Sequence, residues 1–354
     1  MISNEVLKED ISEILNDDNI PFGELKNSKI LVTGATGLIG GILVRTLLIA
    51  NERHKLNLRL IGCSRNKEKC KNLGTDIEFI CDDIRNSDVF SSVIGDVDYI
   101  FHCAAITKSS DMLLKPLSVI TTEVDGTRNI LELARGKNCK SFVYLSSMEV
   151  YGKTDLKEVG ESDLGFIDLT NPRSSYPESK RFCELLCASY SAEYSLPVKI
   201  ARLARTFGAG TPNDKNDMRV ANQFARKAIA GEDIELHTFG NSIANCCYTS
   251  DAIRGLLTVL LKGENGQAYN IANPKASATI KEMAEIVANE VCNGEIKVII
   301  NVPEDIQKCG YAPDIGYKLN IEKLIALGWN PKYGLSDMYK RMIADWKTSS
   351  QQLP

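Results

Sequence analysis

The chain reads as an α/β protein, a doubly wound parallel sheet with a smaller α/β C-terminal lobe. Three observations predict that class. From residue 29 onward, short apolar runs alternate with helical patterns, which is how a parallel sheet covered by helices is written. The runs are nearly continuous in apolar residues, as strands buried on both faces must be. The first run, KILVTG, leads straight into a glycine-rich turn and a helix.

The elements follow in chain order. Residues 1–28 form a predicted N-terminal helical extension, in which Val6, Ile11, Ile14 and Leu15 share an apolar face and Pro21 and Gly23 break the pattern. The strand candidates are KILVTG (29–34), LRLIGCS (58–64), IEFICDD (77–83), VDYIFHCAA (97–105), KSFVYLSS (140–147) and PVKIARL (197–203), with helices such as 40–51, 117–137 and 177–195 between them. Residues 29–204 therefore make the larger domain. The remainder, 205–354, carries helices at 217–231, 250–262 and 279–292 and the short runs DIELHT, AYNIAN and KVIIN, with helical turns to 347. Its loops hold glycine and proline at 208–212, Pro274, Pro303 and Pro313. This part is mainly a smaller lobe, interleaved with the end of the first.

Bulk properties exclude several classes. With 44% hydrophobic and 25% charged residues over 354 positions, the chain is globular and long enough for a substantial core. A net charge of −4 offers nothing to nucleic acid or an anionic membrane. No apolar run approaches the roughly 20 residues that span a bilayer. The acidic start lacks the basic end and apolar centre of an export signal. Eleven cysteines occur without a CxxC pair, and Cys63, Cys81 and Cys103 lie in apolar runs where cysteine acts as a small hydrophobe. A reduced, cytoplasmic protein with no metal site is expected.

Gly34, Gly37 and Gly40 form GxxGxxG after a strand and at the start of a helix. That context suits a dinucleotide pyrophosphate: a tight turn, close backbone approach, close helix packing, and a helix N-terminus facing the anion. Thr36, Leu38 and Ile39 belong to the same turn. An acidic residue after the second strand would bond a ribose 2′-hydroxyl; Ser64 and Arg65 stand there instead and fit a 2′-phosphate, favouring NADP over NAD, although a solvated arginine is common there. Asp83, with Ile84, either meets the adenine or caps a helix.

Tyr176 and Lys180 form YxxxK, one helical turn apart on one face. Taken alone this is more often an ordinary helix face. A tyrosine with an unperturbed pKa of about 10 needs a neighbouring cation to work as an acid–base at neutral pH. Ser147 ends the fifth strand, where the crevice of a doubly wound sheet lies.

The order GxxGxxG, Asp-Ile, HxAA (102–105), SSxxVYG (146–152), YxxxK and RxxxTFG (202–208) resembles the extended short-chain dehydrogenase/reductase family, and within it the nucleotide-sugar epimerase/dehydratase branch, over roughly residues 29–345. The resemblance implies a Rossmann-like domain over 29–204 that holds NAD(P), with Ala104 and Ala105 beside the glycine turn. It implies a nucleotide-diphosphate sugar on the C-terminal lobe, and a homodimer through the helices near 117–137 and 177–195. Ser147, Tyr176 and Lys180 take the catalytic positions. The tyrosine would accept the proton of the sugar 4-hydroxyl while hydride passes to the nicotinamide. The resulting 4-keto sugar has an acidic C5 hydrogen and can be epimerised, dehydrated, decarboxylated or reduced.

Glu149 is either the base for C5 or a structural carboxylate. Thr107, Arg205 and Arg219 are the substrate-side candidates. Four positions depart from the pattern. Met148 replaces the acid common in dehydratases. Ala244 replaces the arginine that decarboxylating and many epimerising relatives carry seven residues before the position of Asp251. Arg205 stands for asparagine, and Glu123 opens EVDGT where NVxGT is usual. The leading expectation is a 4-epimerase. An NADPH-dependent 4-ketoreductase of a deoxysugar nucleotide and a non-catalytic NAD(P) sensor are the alternatives.

Overall fold

A computed structural model describes residues 4–303 and 314–350. The predicted loop position Pro313 lies outside the described residues. Seven strands build the central sheet: β1 (Lys29–Thr33), β2 (Arg59–Cys63), β3 (Glu78–Ile80), β4 (Tyr99–His102), β5 (Ser141–Ser147), β6 (Val198–Leu203) and β7 (Ala268–Ile271). Their order is β3-β2-β1-β4-β5-β6-β7, and every pairing is parallel. The chain begins at the middle, winds outward to β3, then returns to place β4 on the other side of β1. That reversal opens a crevice at the carboxyl ends of β1 and β4.

Burial explains the continuous apolar runs. Within β1, Ile30 and Val32 pack with Leu43 and Leu47 of helix 38–54 and with Leu256 of helix 249–262. Leu31 faces the other way, into a core with Ile130 of helix 116–135 and Cys183 of helix 175–194. Neither face of the sheet meets water, so alternation disappears.

The larger domain draws on chain beyond 204. β7 pairs with β6 from Ala268 opposite Ile200 to Ile271 opposite Leu203. The run AYNIAN is legible as a strand, but its sheet is a tertiary choice. The second lobe holds a three-stranded sheet, in which 243–248 runs parallel to 205–207 and antiparallel to 273–279. Strand 273–279 is unexpected, since NPKASAT is small and carries Pro274. The helix expected at 279–292 is α-helical only over Ile280–Ile286 and continues as a π turn over Val287–Val291.

Helix Glu5–Leu15 clasps the two parts together. Its Leu7, Ile11 and Ile14 are buried in the main core, while Asp10 accepts hydrogen bonds from Tyr248 (2.6 Å) and Arg341 (2.7 Å) of the second lobe. Burial pushes the Asp10 carboxyl up to about 6 despite those partners. Asp17 pairs with Arg254 at 2.6 Å.

Among the described residues, the cysteines are free thiols, and no helix is long and apolar enough to cross a membrane. Cys63 is buried as expected and Cys103 half-buried, but Cys81 is exposed. β3 stops at Ile80, so Cys81 lies past the strand and outside the core.

Candidate active site

The glycine turn sits at the mouth of the crevice. Gly34 has φ +65°, and a Cβ there would lie 2.8 Å from the backbone of Cys103 and Ala104. A Cβ on Gly40 would lie 2.3 Å from the Gly34 carbonyl oxygen. Any side chain at either position would push strand, turn and helix apart. Gly37 is different: it is exposed and precedes the first residue of helix 38–54, leaving that helix N-terminus open to an anion. Thr36 and Leu38 flank it, and Ile39 packs on the main core.

At the far side of the turn, the Thr36 and Ser64 hydroxyls are 2.6 Å apart. Arg65 is exposed and stands 3.9 Å from the Asp83 carboxylate. Arg85 bonds both Asp83 oxygens, at 3.0 and 2.8 Å, and holds that carboxyl below its usual range. Asp83 caps no helix, contrary to one of the two expectations for it: Asn86 caps the turn Ser87–Phe90, and Asp83 accepts the Arg85 backbone N–H. Ile84 is buried, and Gly126 makes room for it, since a Cβ there would lie 2.4 Å from its methyl carbon. Ala105 and Thr107 line an open cleft of about 420 Å³ together with Arg65, Lys108 and Lys115. Ala104 donates its backbone N–H to Thr33.

His102 of HxAA faces the core, not the crevice. Its ring bridges Thr33 (2.7 Å) and Thr127 (3.0 Å), tying β1 and β4 to helix 116–135. Burial, and then the Lys180 charge, push its imidazole down to about 3, so it stays neutral.

Ser147 comes from the end of a strand, and Tyr176 and Lys180 from one helix. Ser147 ends β5 and accepts the Glu149 backbone N–H at 3.2 Å, which fixes the chain reversal after the strand. The Ser147 side chain lies beside the Tyr176 phenol and favours its ionised form. Tyr176 and Lys180 lie in the first turns of helix Ser175–Tyr194, both buried. The Lys180 ammonium donates to the Leu145 carbonyl at 2.7 Å and lies 5.7 Å from the centre of the Tyr176 ring. It also pairs with Glu123 at 2.9 Å, with both side chains essentially inaccessible. Burial pushes the Tyr176 phenol up to about 12; Lys180 opposes that, while Glu123 and Glu149 add to it.

A buried network braces this floor. Arg202 donates to both Glu184 oxygens and to the Tyr151 hydroxyl at 3.0 Å. Glu184 in turn accepts from Ser146 at 2.5 Å, one residue before Ser147. The RxxxTFG arginine thus holds the end of β5. No local pattern marks Arg202 for this role, and only its partners in the fold disclose it.

The remaining candidates are placed less tightly. Glu149 is held by Arg173 through two bonds, at 2.8 and 3.2 Å. Met148 is buried in the main core and points away from the crevice. Ala244 is wholly buried in the second lobe's core. Arg205 is exposed on strand 205–207. Arg219 is exposed and bonds Asp217. Among the described residues, no three His, Cys, Asp or Glu side chains form a metal-holding group.

A seven-stranded parallel sheet with a glycine-lined crevice at its carboxyl ends defines a Rossmann-like fold. The NAD dependent epimerase/dehydratase family model matches residues 30–272, and the chain belongs to that family. UDP-glucuronic acid decarboxylase 6 of Arabidopsis thaliana is 31% identical over 322 residues, covering 91% of this chain and 89% of that protein. UDP-glucuronic acid decarboxylase 1 of Danio rerio is 28% identical, over 90% of this chain and 73% of that protein. Among solved structures, a UDP-glucose 4-epimerase of Thermotoga maritima with UDP-glucose aligns at TM-score 0.77 and 21% identity, over 91% of this chain and 99% of that one. A dTDP-glucose 4,6-dehydratase of Streptomyces venezuelae with NAD bound aligns at 0.75 and 23%, over 91% and 98%. At those identities the two structures bear on the fold alone. The family's NAD fits the crevice: Gly34 and Gly40 leave no room for side chains, and the open N-terminus beyond Gly37 leaves room for a pyrophosphate.

Proposed function

We propose that this enzyme oxidises the C4 hydroxyl of a nucleotide-diphosphate sugar and completes its reaction from the 4-keto sugar. The observation that carries this reading is the buried Lys180 ammonium 5.7 Å from the centre of the buried Tyr176 ring, with Ser147 at the carboxyl end of β5, beside the glycine cradle. Bound NAD supplies the two-electron acceptor. Tyr176 takes the proton from the C4 hydroxyl, and Ser147 hydrogen-bonds the same oxygen. Lys180 stabilises the phenolate that proton transfer requires. Gly34, Thr36, Gly37, Leu38, Ile39 and Gly40 would hold the pyrophosphate, with Ser64, Asp83, Ile84, Ala104 and Ala105 around the adenosine and ribose. Thr107, Arg205 and Arg219 would meet the substrate.

NAD is the proposed cofactor. The expectation of NADP rested on Ser64 and Arg65. The Ser64 hydroxyl is engaged with Thr36, and the Asp83 carboxylate beside Arg65 repels a 2′-phosphate.

Between the outcomes at the 4-keto stage, 4-epimerisation asks least of the chain. It needs no acid beyond Tyr176, and Met148 supplies none for water loss. Decarboxylation is a second reading with its own support. The Arg173 guanidinium, paired with Glu149 near Tyr176, is a cation that a C6 carboxylate could engage, and a 4-keto uronate is a β-keto acid that loses CO2 readily. The curated relatives named above are UDP-glucuronate decarboxylases.

A panel of UDP-glucose, UDP-glucuronic acid and dTDP-glucose, each with NAD or NADP, separates these readings. UDP-galactose without net NADH marks the epimerase. CO2 release marks the decarboxylase, and loss of water the dehydratase. No conversion of any nucleotide sugar, together with no binding of either dinucleotide in calorimetry, would sink the proposal.

We also propose that a second copy of this chain covers helices 116–135 and 175–194. Their outer faces expose Leu117 (75%), Ile120 (38%), Phe182 (47%) and Leu185 (61%), an apolar stripe across two packed helices. A particle of one chain in sedimentation velocity contradicts this.

A further inference from the structure

Among the described residues, Glu123 is the carboxylate that pairs with Lys180 beneath Tyr176. It lies near the middle of helix 116–135, at 0% exposure. One oxygen accepts from Lys180 at 2.9 Å and from the Tyr144 hydroxyl at 3.4 Å. The other oxygen is buried and has no hydrogen-bond partner among the described residues. A half-satisfied carboxylate in such a place is costly, and a neutral side chain would avoid most of the cost. Its one strong partner is the lysine.

The geometry creates a competition. Lys180 has one ammonium and two anionic claimants: the Glu123 carboxylate, always at hand, and the Tyr176 phenolate, which forms only during turnover. Every unit of charge that Glu123 neutralises is withdrawn from the phenolate. We propose that Glu123 is a positioning residue: it pins the Lys180 ammonium beneath Tyr176 and competes with the phenolate for that charge. The inference rests on the reading of Tyr176 as the acid–base group.

The other charged and titratable groups around the pair do not substitute for it. On the turn after β5, Glu149 is paired with Arg173. From β4, His102 is neutral and bonded to two threonines. From β5, the Tyr144 ring lies 4.7 Å from the ammonium. On the lysine's own helix, the Cys183 thiol donates to the Glu123 backbone carbonyl at 3.2 Å. Glu123 is thus the only one of these groups that meets Lys180 as an anion. With it neutral, the phenolate becomes the natural counter-charge of Lys180, and ionisation of Tyr176 grows easier. The sign is opposite to that of removing a cation.

The test labels tyrosine at Cζ with carbon-13 and follows the Tyr176 resonance, assigned by its absence in Tyr176→Phe, against pH in protein saturated with NAD. Glu123→Gln keeps the acceptor and removes the charge. Its phenol midpoint is expected to fall by about 1 pH unit or more, and the acidic limb of turnover to move down with it. Glu123→Asp keeps the charge and should stay near the wild-type midpoint. A Glu123→Gln midpoint that is unmoved or higher overturns the inference, even if thermal stability changes. Should Glu123→Gln not fold, Glu123→Asn is read in the same way. Because the midpoint is measured without substrate, it is separate from the acid–base reading, which fails instead if Tyr176→Phe retains turnover.

Discussion

The sheet side of the crevice and the second-lobe side hold their charges in opposite ways. Beneath Ser147 and Tyr176, Lys180 pairs with Glu123 and Arg202 with Glu184, all four side chains nearly or fully buried. Across from them, Arg205 is exposed, and Arg219 is exposed and leans on its neighbour Asp217. In a low-dielectric interior a misplaced charge is expensive, so buried pairs have one geometry. Exposed arginines are screened and cheap to move. Proton transfer needs the first arrangement and tolerates little displacement. Recognition of a flexible diphosphate can use the second.

Three substitutions would break or sharpen that contrast. The largest effect is expected for Tyr176→Phe, which should lower kcat on the order of 100- to 10,000-fold. NAD affinity, read by calorimetry, should hardly change. Arg202→Met comes next. It leaves Glu184 buried without its partner, and chemical denaturation should show a loss of roughly 3–5 kcal/mol. Arg205→Ala is expected to do least, raising KM roughly tenfold, about 1.4 kcal/mol, with little change in kcat or in melting temperature. If Arg205→Ala instead costs kcat and stability, the second-lobe side is as rigid as the sheet side and the contrast collapses.

Sequence and structure agree best where local rules dominate. The six strand candidates of the larger domain are present within a few residues of their expected ends, because runs such as LRLIGC and SFVYLS have no alternative but burial on both faces. The glycine turn was legible because φ and close approach are local demands. Roles that depend on partners were not. His102 of HxAA and Thr127 of EVDGT carry no such rule, and they bond one another inside the core. Met148 looked like a substituted acid, but its side chain belongs to the apolar cluster. Cys81 looked like a strand residue and is exposed, because β3 ends one position earlier.

The amino-acid order by itself determined the class of fold, the place of the glycine turn and the one-turn spacing of Tyr176 and Lys180. Each is written in periodicity or in spacings of a few residues. Only the tertiary structure decided that β7 joins the first sheet, that Glu149 is held by Arg173, and that Glu123 lies against Lys180. Glu123 and Lys180 are far apart in the chain, and so are Ala268 and Ile200. Whether Glu123 meets Lys180 is set by how helices 116–135 and 175–194 pack on each other, and whether Ala268 meets Ile200 by the pairing of β7 with β6, and no local pattern records either.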